Sequence, residues 1–430
     1  MSPGPMRLRV LVVLALRNLR RQLRRTVLTA SAMVIGGILL IFSVSLGDGT
    51  HEQWIESGVR LGSGHVSIER PEYRLSRRIE DRLPPAVREA AEAAMRSPEV
   101  AGNVVATSAK LRISGLASSA AGARPVEIAA VDPPLEADYG MVDDQLVEGR
   151  YLEADDRLAA CVGAALADSL GLRLGSRFVV QAQDAAGDIA GQLLRVVGIY
   201  RSGVPEVDQT LLHMPLATAG AWLGSEASVT GFGVLLNESA ATGRVQAHLE
   251  DALAEPVARG VVRVMSWRES EPALAAAITI DDFGNYLMQG LLFLIIGFGI
   301  VNTVLMSVMY RRREFGVLQA LGLTPRQTGA VVMIEGLTLT AASGLLGAVL
   351  GVIVTWGFFG DGLDMTAMMQ NMDEMTFSGV LVDPVVIPLF STTRLIQITA
   401  FILVMGIVAS LYPAFRAARI DVAEAMKFER

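Results

Sequence analysis

Four stretches of this chain contain no Asp, Glu, Lys, Arg or His and are strongly apolar: 26–47, 283–310, 336–360 and 395–415. A helix rises about 1.5 Å per residue and a bilayer's hydrocarbon core is about 30 Å thick, so the shortest run, 21 residues, is just long enough to cross. The 28-residue second run is about 42 Å long as helix, so it must tilt or project. All four predict membrane-spanning helices. The first is too long, and too far from Met1, for a cleaved signal segment, and is expected to stay in place.

Between the first and second runs the pattern changes. Alternating or β-rich stretches occur at 65–69, 104–113, 126–131, 177–182, 193–200 and 261–267, and helical periodicity at 86–95, 163–170, 242–252 and 270–282. Gly62 to Gly64 and the Gly/Ala/Ser-rich 114–123 read as turns and loops. One mixed α+β domain, in one or two lobes, is expected over 48–282. Nothing after Pro272 forbids a helix that runs unbroken into the second span, which would make a rigid rod.

Charge gives the orientation. Residues 1–25 carry seven arginines, the 310s loop adds Arg311, Arg312, Arg313 and Arg326, and the tail adds Arg416, Arg419, Lys427 and Arg430. These 15 cations face four acids (Glu314, Asp421, Glu424, Glu429), a balance of +11, whereas the whole chain sums to −7. The remainder is therefore −18. Basic ends and loop are expected in the cytoplasm and the acidic bulk outside. Leu8, Leu11, Val12, Ala15, Leu19 and Leu23 form one apolar face of an N-terminal segment, 1–25, expected to lie as an amphipathic elbow in the inner interface. The resulting fold class is an α-helical membrane protein with four transmembrane helices and a large α+β extracytoplasmic domain inserted between helices 1 and 2. Its expected segments are 1–25, 26–47, 48–282, 283–310, a cytoplasmic loop 311–327, 328–360, an outer loop 361–394, 395–415 and a tail 416–430.

The loop 311–327 stands out. Its first three arginines would each cost roughly 2.5–3.5 kcal/mol at mid-bilayer, so they end the second span. A short segment follows with apolar Phe315, Val317, Leu318 and Leu321, closed by Gly322; Thr324, Pro325 and Gln327 then make a capping-box helix start. This is either an ordinary basic loop or a stub helix on which a cytoplasmic partner can push. Within the spans, Asn302 bonds either across helices, the favoured reading, or only to its own backbone. Glu335 either snorkels to the inner interface or pairs with an arginine of the cytoplasmic cluster. Gly344, Gly347 and Gly351 make a small-residue face for close packing on a neighbour. Met365, Met368, Met369 and Met372 form one helical stripe in the outer loop, a pliable apolar surface that either packs or faces substrate.

Catalytic chemistry is not legible. The two lysines, Lys110 and Lys427, follow no glycine, so GxxxxGK[ST] is absent and any ATP that drives the protein sits on another chain. His51, His65, His213 and His248 are scattered, no HExxH or GxSxG occurs, and the expected list of catalytic and metal-binding residues is empty. The single cysteine, Cys161, rules out an internal disulfide and reads as a buried strand residue. Arginines set directly against a span argue against nucleic acid as a partner.

Taken together, several motifs carry a family resemblance. Arg312-Arg313-Glu314-Phe315-Gly316-Val317-Leu318-Gln319-Ala320-Leu321-Gly322, with Thr324 and Gln327, resembles the coupling-helix signature of FtsX-like permeases. These are membrane subunits of mechanotransmitting (type VII) ABC transporters, including the macrolide-exporter type. Glu335 matches the glutamate of the family's next span. Tyr412-Pro413-Ala414-Phe415-Arg416-Ala417-Ala418-Arg419-Ile420-Asp421 with Glu424 and Ala425 is similar to its tail, with Val422 where the family has proline. Gly149-Arg150-Tyr151 and Cys161 through Gly175 resemble its MacB-like periplasmic core domain. The layout, with Gly64-His65-Val66-Ser67-Ile68, is most similar to lipoprotein-releasing permeases of the LolC/LolE type.

The resemblance implies a bacterial inner-membrane permease with both termini cytoplasmic and the large domain periplasmic. Residues 312–318, Leu321 and Gly322 would couple to a cytoplasmic ABC ATPase dimer that binds ATP and Mg. A second permease protomer (a copy or a paralogue), membrane lipids, a lipoprotein or other amphipathic substrate and a periplasmic carrier are the further partners implied. The long hook that carriers engage is missing, because 183–191 is short and lacks proline. Two other uses stay open: efflux of drugs or peptides, and a non-transporting scaffold that activates an envelope hydrolase.

Overall fold

The computed structural model describes residues 13, 15, 17, 23–225, 228–364, 376–377, 380–381 and 385–421. The chain divides into two compact units, one of 1–50, 281–365 and 385–430, the other of 51–280 and 366–384.

The first unit is helical. Its elements belong to α1 (Leu23–Leu61), α2 (Pro272–Tyr310), α3 (Arg312–Ala320), α4 (Pro325–Phe359) and α5 (Thr392–Ala418). Four of these are long and apolar enough to cross a membrane, and at most a third of each apolar window is buried by the rest of the chain. The remainder is left for lipid or another protein.

α1 and α2 are each 39 residues, longer than the uncharged runs inside them. α1 continues past Gly47 through Asp48, Glu52, Glu56 and Arg60, because loss of apolarity marks the end of the lipid core rather than the end of a helix. α2 runs unbroken from Pro272 to Tyr310, with Pro at the first turn, where its missing N–H costs nothing.

Small residues set the packing. A Cβ added at Gly344 would sit 3.0 Å from Ile402 of α5, and one at Gly336 would strike Ser410. Gly406 of α5 in turn faces Thr340. The pairs 336/410, 340/406 and 344/402 step by four residues along both helices, an antiparallel seam with backbones in close approach. Gly347 and Gly351 turn instead to α1: Cβ atoms there would meet Val34 O at 3.1 Å and Ile41 Cβ at 2.8 Å. The glycines expected to share one neighbour thus serve two.

Asn302 corrects the expectation. It is exposed on α2 and does not enter the packed face, which follows Ile296, Ile300, Val304 and Val308. Two residues of helical rotation carry position 302 away from that stripe. The neighbouring Thr303 makes the cross-helix bond instead, Oγ1 to Oγ1 of Thr29 at 2.8 Å.

The second unit is built on a ten-stranded sheet: β1 (Val66–Glu69), β2 (Val104–Ser119), β3 (Gly122–Val131), β4 (Leu146–Gly149), β5 (Ala159–Gly163), β6 (Arg177–Gln183), β7 (Ile189–Tyr200), β8 (Leu211–Pro215), β9 (Gly231–Leu236) and β10 (Arg263–Ser266). Their order is β10-β1-β9-β2-β3-β8-β5-β7-β4, and β6 pairs with both β2 and β7. The six strands β2-β3-β8-β5-β7-β6 therefore close on themselves. Alternate residues fill the interior, among them Leu111, Ile128, Phe178, Val180, Leu194 and Leu212, while Arg177, Gln181 and Gln183 point out.

The other lobe is the sheet β10-β1-β9 with the first half of β2, and helices Pro85–Met95 and Thr242–Ala252 cover it through Val87, Ala91, Val245 and Leu249. The 16-residue β2 belongs to both lobes. Its second half includes Ser114–Ser119, which the sequence suggests is loop; pairing on both sides, to β3 and to β6, makes it strand. Cys161 is buried in β5.

Candidate coupling site

The two helices α2 and α4 are joined by 311–324, and side chains there form one connected set. Arg311, at the end of α2, donates from Nη1 to Glu335 Oε2 of α4 at 3.0 Å, and its Nε lies 3.0 Å from Glu314 Oε2. Ser307 Oγ, one turn back, donates to the other Glu335 oxygen at 3.2 Å. The Arg311 guanidinium also stacks over the Phe315 ring, 4.7 Å from its centroid. Both partners of the ion pair are largely withdrawn from solvent, with side chains 9% and 11% exposed. Glu335 is thus satisfied by a charge and a hydroxyl. It pairs with the arginine cluster rather than snorkelling alone.

α3 sits on this clamp by its inner face. Phe315 is 1% exposed, Gly316 is buried, and Leu318 is half-buried against the same core as Val308, Val332 and Ala417. A second tie runs from Gln319 Nε2 to Thr328 Oγ1 at 3.2 Å. The outer face shows Arg313, Glu314, Val317 and Leu321, the last two 42% and 80% exposed. Arg312 lies at the margin, half-buried. Gly322 takes φ +104°, a conformation that favours glycine, and lets Leu323 N–H return to Leu318 C=O at 3.0 Å. α4 then begins with the expected box: Gln327 N–H donates to Thr324 Oγ1, and Thr324 N–H to Gln327 Oε1.

The arrangement is a stub helix fixed from below by a buried ion pair, with an apolar, charge-flanked ridge turned outward. Of the residues singled out from sequence, Glu314, Phe315, Gly316, Leu318 and Glu335 come together with the clamp. Arg313, Val317, Leu321 and Gly322 face away from it, and Asn302, Gly344, Gly347 and Gly351 belong to helix surfaces elsewhere. Met365, Met368, Met369 and Met372 lie outside the described residues, as do Val422, Glu424 and Ala425 and most of the elbow segment. The pivot that sequence reasoning passed over is Arg311. Its signal was present: an arginine closing one span and a glutamate about ten residues into the next lie at matching depth.

Comparison with known proteins bears on both units. Residues 26–252 match the family described as MacB-like periplasmic core domain, and residues 286–422 match the FtsX-like permease C-terminal family. The chain is 23% identical to the lipoprotein-releasing system transmembrane protein LolC of Neisseria meningitidis, over 78% of this chain and 81% of LolC. It is 24% identical to the macrolide export ATP-binding/permease protein MacB of Brucella abortus over 79% of its length. That alignment takes in 52% of MacB, so the chain spans about half of that relative. Among solved structures, the periplasmic region of MacB from Actinobacillus actinomycetemcomitans is similar, with a TM-score of 0.34 and 13% identity over 50% of this chain and 95% of that one.

Proposed function

The chain belongs to the FtsX-like ABC transporter permeases that carry a MacB-like periplasmic core domain, and from that premise we propose that it transmits ATP-driven force supplied by a separate subunit. A cytoplasmic ABC ATPase dimer, holding ATP and Mg²⁺, docks on the ridge of α3 formed by Arg313, Val317 and Leu321. The observation that carries this reading is the split of α3: an outward apolar ridge, and an inward face bolted to α4 through Arg311 and Glu335. A push on the ridge is then received by α2 and α4 together.

α2 is one helix from Pro272 to Tyr310, so displacement at its inner end has no loop in which to dissipate. Two permease protomers, identical or paralogous, move against each other as the ATPase opens and closes. The bias comes from the ATPase binding one permease conformation more tightly. The substrate is a lipoprotein or another lipid-bearing amphiphile released from the outer leaflet of the inner membrane. The β6–β7 turn is only 184–188, since Gln183 already pairs with Ile189, so the reading includes no carrier docking there.

The test is reconstitution with the cognate ATPase. Val317→Asp and Leu321→Asp should lower permease-stimulated ATP hydrolysis at least tenfold without loss of folded protein. Full stimulation in both variants overturns the docking assignment. Mass spectrometry of the purified complex should find lipid-modified protein; an envelope hydrolase in its place favours the scaffold function and removes the transport assignment.

A further inference from the structure

Within the periplasmic-type unit, a cavity of about 280 Å³ opens beside the C-terminal end of α1 and the first turn of α2. Arg74, Arg77, Arg112, Glu206, Glu271 and Ala273 are among its walls. Two of the three arginines are spoken for. Arg74 sits 3.1 Å from Glu69 and donates to the Ser270 carbonyl; Arg112 donates to Leu61 C=O at 2.6 Å and lies 3.5 Å from Glu127. Arg77 has no carboxylate within ion-pair distance among the described residues. Its guanidinium rests over the Tyr73 ring at 5.3 Å and reaches the Tyr73 hydroxyl at 3.5 Å.

Arg77 is also held at φ +50°, the one non-glycine residue with positive φ among those described. A left-handed conformation costs a side chain-bearing residue free energy, and such residues concentrate at ligand clamps. It caps the short helix Tyr73–Ser76, a place where glycine would be the unstrained choice. Glu271, directly before Pro272, walls the same chamber; it has no cation within ion-pair distance among the described residues, although Arg112, Arg74 and Arg77 all lie near enough to act on its charge, and Glu206 is exposed.

Gly62, Ser63 and Arg112 wall this cavity and also an adjoining void of about 20 Å³, where Ser67 Oγ and the Tyr139 hydroxyl are buried without a hydrogen-bond partner among the described residues. That void is large enough for one water. The outer chamber falls just under the roughly 300–1,000 Å³ of pockets for drug-sized ligands, so it suits something the size of a headgroup.

We propose that this cavity binds a small zwitterion, with a phosphate at Arg77 and an ammonium at Glu271, as in phosphoethanolamine. A guanidinium fork matches the oxygens of a phosphate, and the Glu271 carboxylate of the same chamber takes the cation. The group comes either from a lipid headgroup or from a free molecule of the same chemistry. The assignment is independent of how α3 is driven.

Isothermal titration of the full chain, delipidated in detergent, with phosphoethanolamine and with inorganic phosphate tests it. Saturable one-to-one binding of phosphoethanolamine is expected, with phosphate at least tenfold weaker. Arg77→Gly removes the guanidinium and relieves the left-handed backbone, so this variant should melt no lower than wild type and yet lose binding. Glu271→Gln should bring phosphoethanolamine down to the affinity of phosphate. Ala273→Trp, at an exposed wall position, should block both probes, and Arg78→Ala, outside the cavity, should change neither. In nanodiscs, weaker titration in phosphatidylethanolamine than in phosphatidylglycerol identifies a lipid headgroup as the resident; equal affinity identifies a free zwitterion. No saturable binding by the wild type, or unchanged binding in Arg77→Gly or Ala273→Trp, overturns the proposal.

Discussion

Arg311 and Glu335 are joined 3.0 Å apart across two membrane helices, 24 residues distant in sequence and both nearly closed to solvent. A buried pair of this kind adds little over a well-packed apolar replacement, but breaking it strands a charge at a cost of about 3–5 kcal/mol. Glu335→Gln leaves Arg311 with Glu314, so a loss near 3 kcal/mol is expected. Replacing both, as Arg311→Met with Glu335→Leu, should restore most of the thermal stability in detergent. It should not restore ATPase stimulation, because the charged clamp beneath α3 is gone and only the Gln319–Thr328 bond still ties α3 to α4. A double variant that melts as low as the single one would show that the pair is not the interaction being lost.

His65 gives a pH dependence with a definite sign. Its Nδ1 accepts Leu236 N–H at 3.1 Å, which places the proton on Nε2, facing Ser239 Oγ at 3.2 Å; Ser239 in turn donates to Glu52 at 2.8 Å. Burial, and then Arg60, lowers its pKa from 6.5 to about 4. Between those values the unfolded chain binds the proton and the folded one does not, so stability is complete above pH 6.5 and falls as pH drops to 4. The loss amounts to about 3 kcal/mol. Burial depresses His213 as well, in the same direction. Melting His65→Gln beside wild type across this window isolates the share of His65: the gap between the two curves should shrink on acidification.

Gly347 and Gly357 lie on one helix and should respond in opposite ways. A Cβ at 347 meets backbone of α1 (Val34 O at 3.1 Å, Gly37 Cα at 3.3 Å), which cannot rotate aside, whereas one at 357 meets nothing within 4 Å. Gly347→Val should cost about 1–3 kcal/mol by overpacking, and Gly357→Ala should be neutral or slightly stabilising. Thermal melting of the two variants in one detergent checks the contrast.

Cys161 should be inert in the folded protein. Burial pushes its thiol up to about 12, against a smaller downward pull from Arg150, and its Sγ lies 3.6 Å from the Arg150 carbonyl. At pH 7 about one molecule in 10⁵ carries the thiolate that alkylating reagents attack. Maleimide labelling should be negligible without denaturant and complete with it; rapid labelling of native protein would show that β5 opens.

The spans were legible because lipid imposes one requirement, uninterrupted apolarity, that shows in composition alone. The outer strands were only partly so. β6 announces itself through Phe178, Val180 and Ala182 alternating with exposed neighbours, but β5 and β8 are buried on both faces and carry no alternation to read. Ser114–Ser119 looked like loop for want of bulky residues. Gly115 is required there by closeness: a Cβ would press on Gln181 O and on Ile128. Arg311, Arg312 and Arg313 are equivalent as letters, and only helical rotation decides that Arg311 turns inward. The zwitterion cavity draws walls from Ser57 to Leu274, so no local pattern could announce it.

Joining β6 to both β2 and β7 also decides where another chain can attach by strand addition. Within the ring the strands pair on both sides, but the hairpin ends that reach beyond it do not: 122–126 of β3 pair only with β2, and 189–194 of β7 only with β6. Open backbone also lies at the two termini of the strand order, β10 and β4, each only four residues long. A partner that adds a strand therefore meets short segments and no long continuous edge.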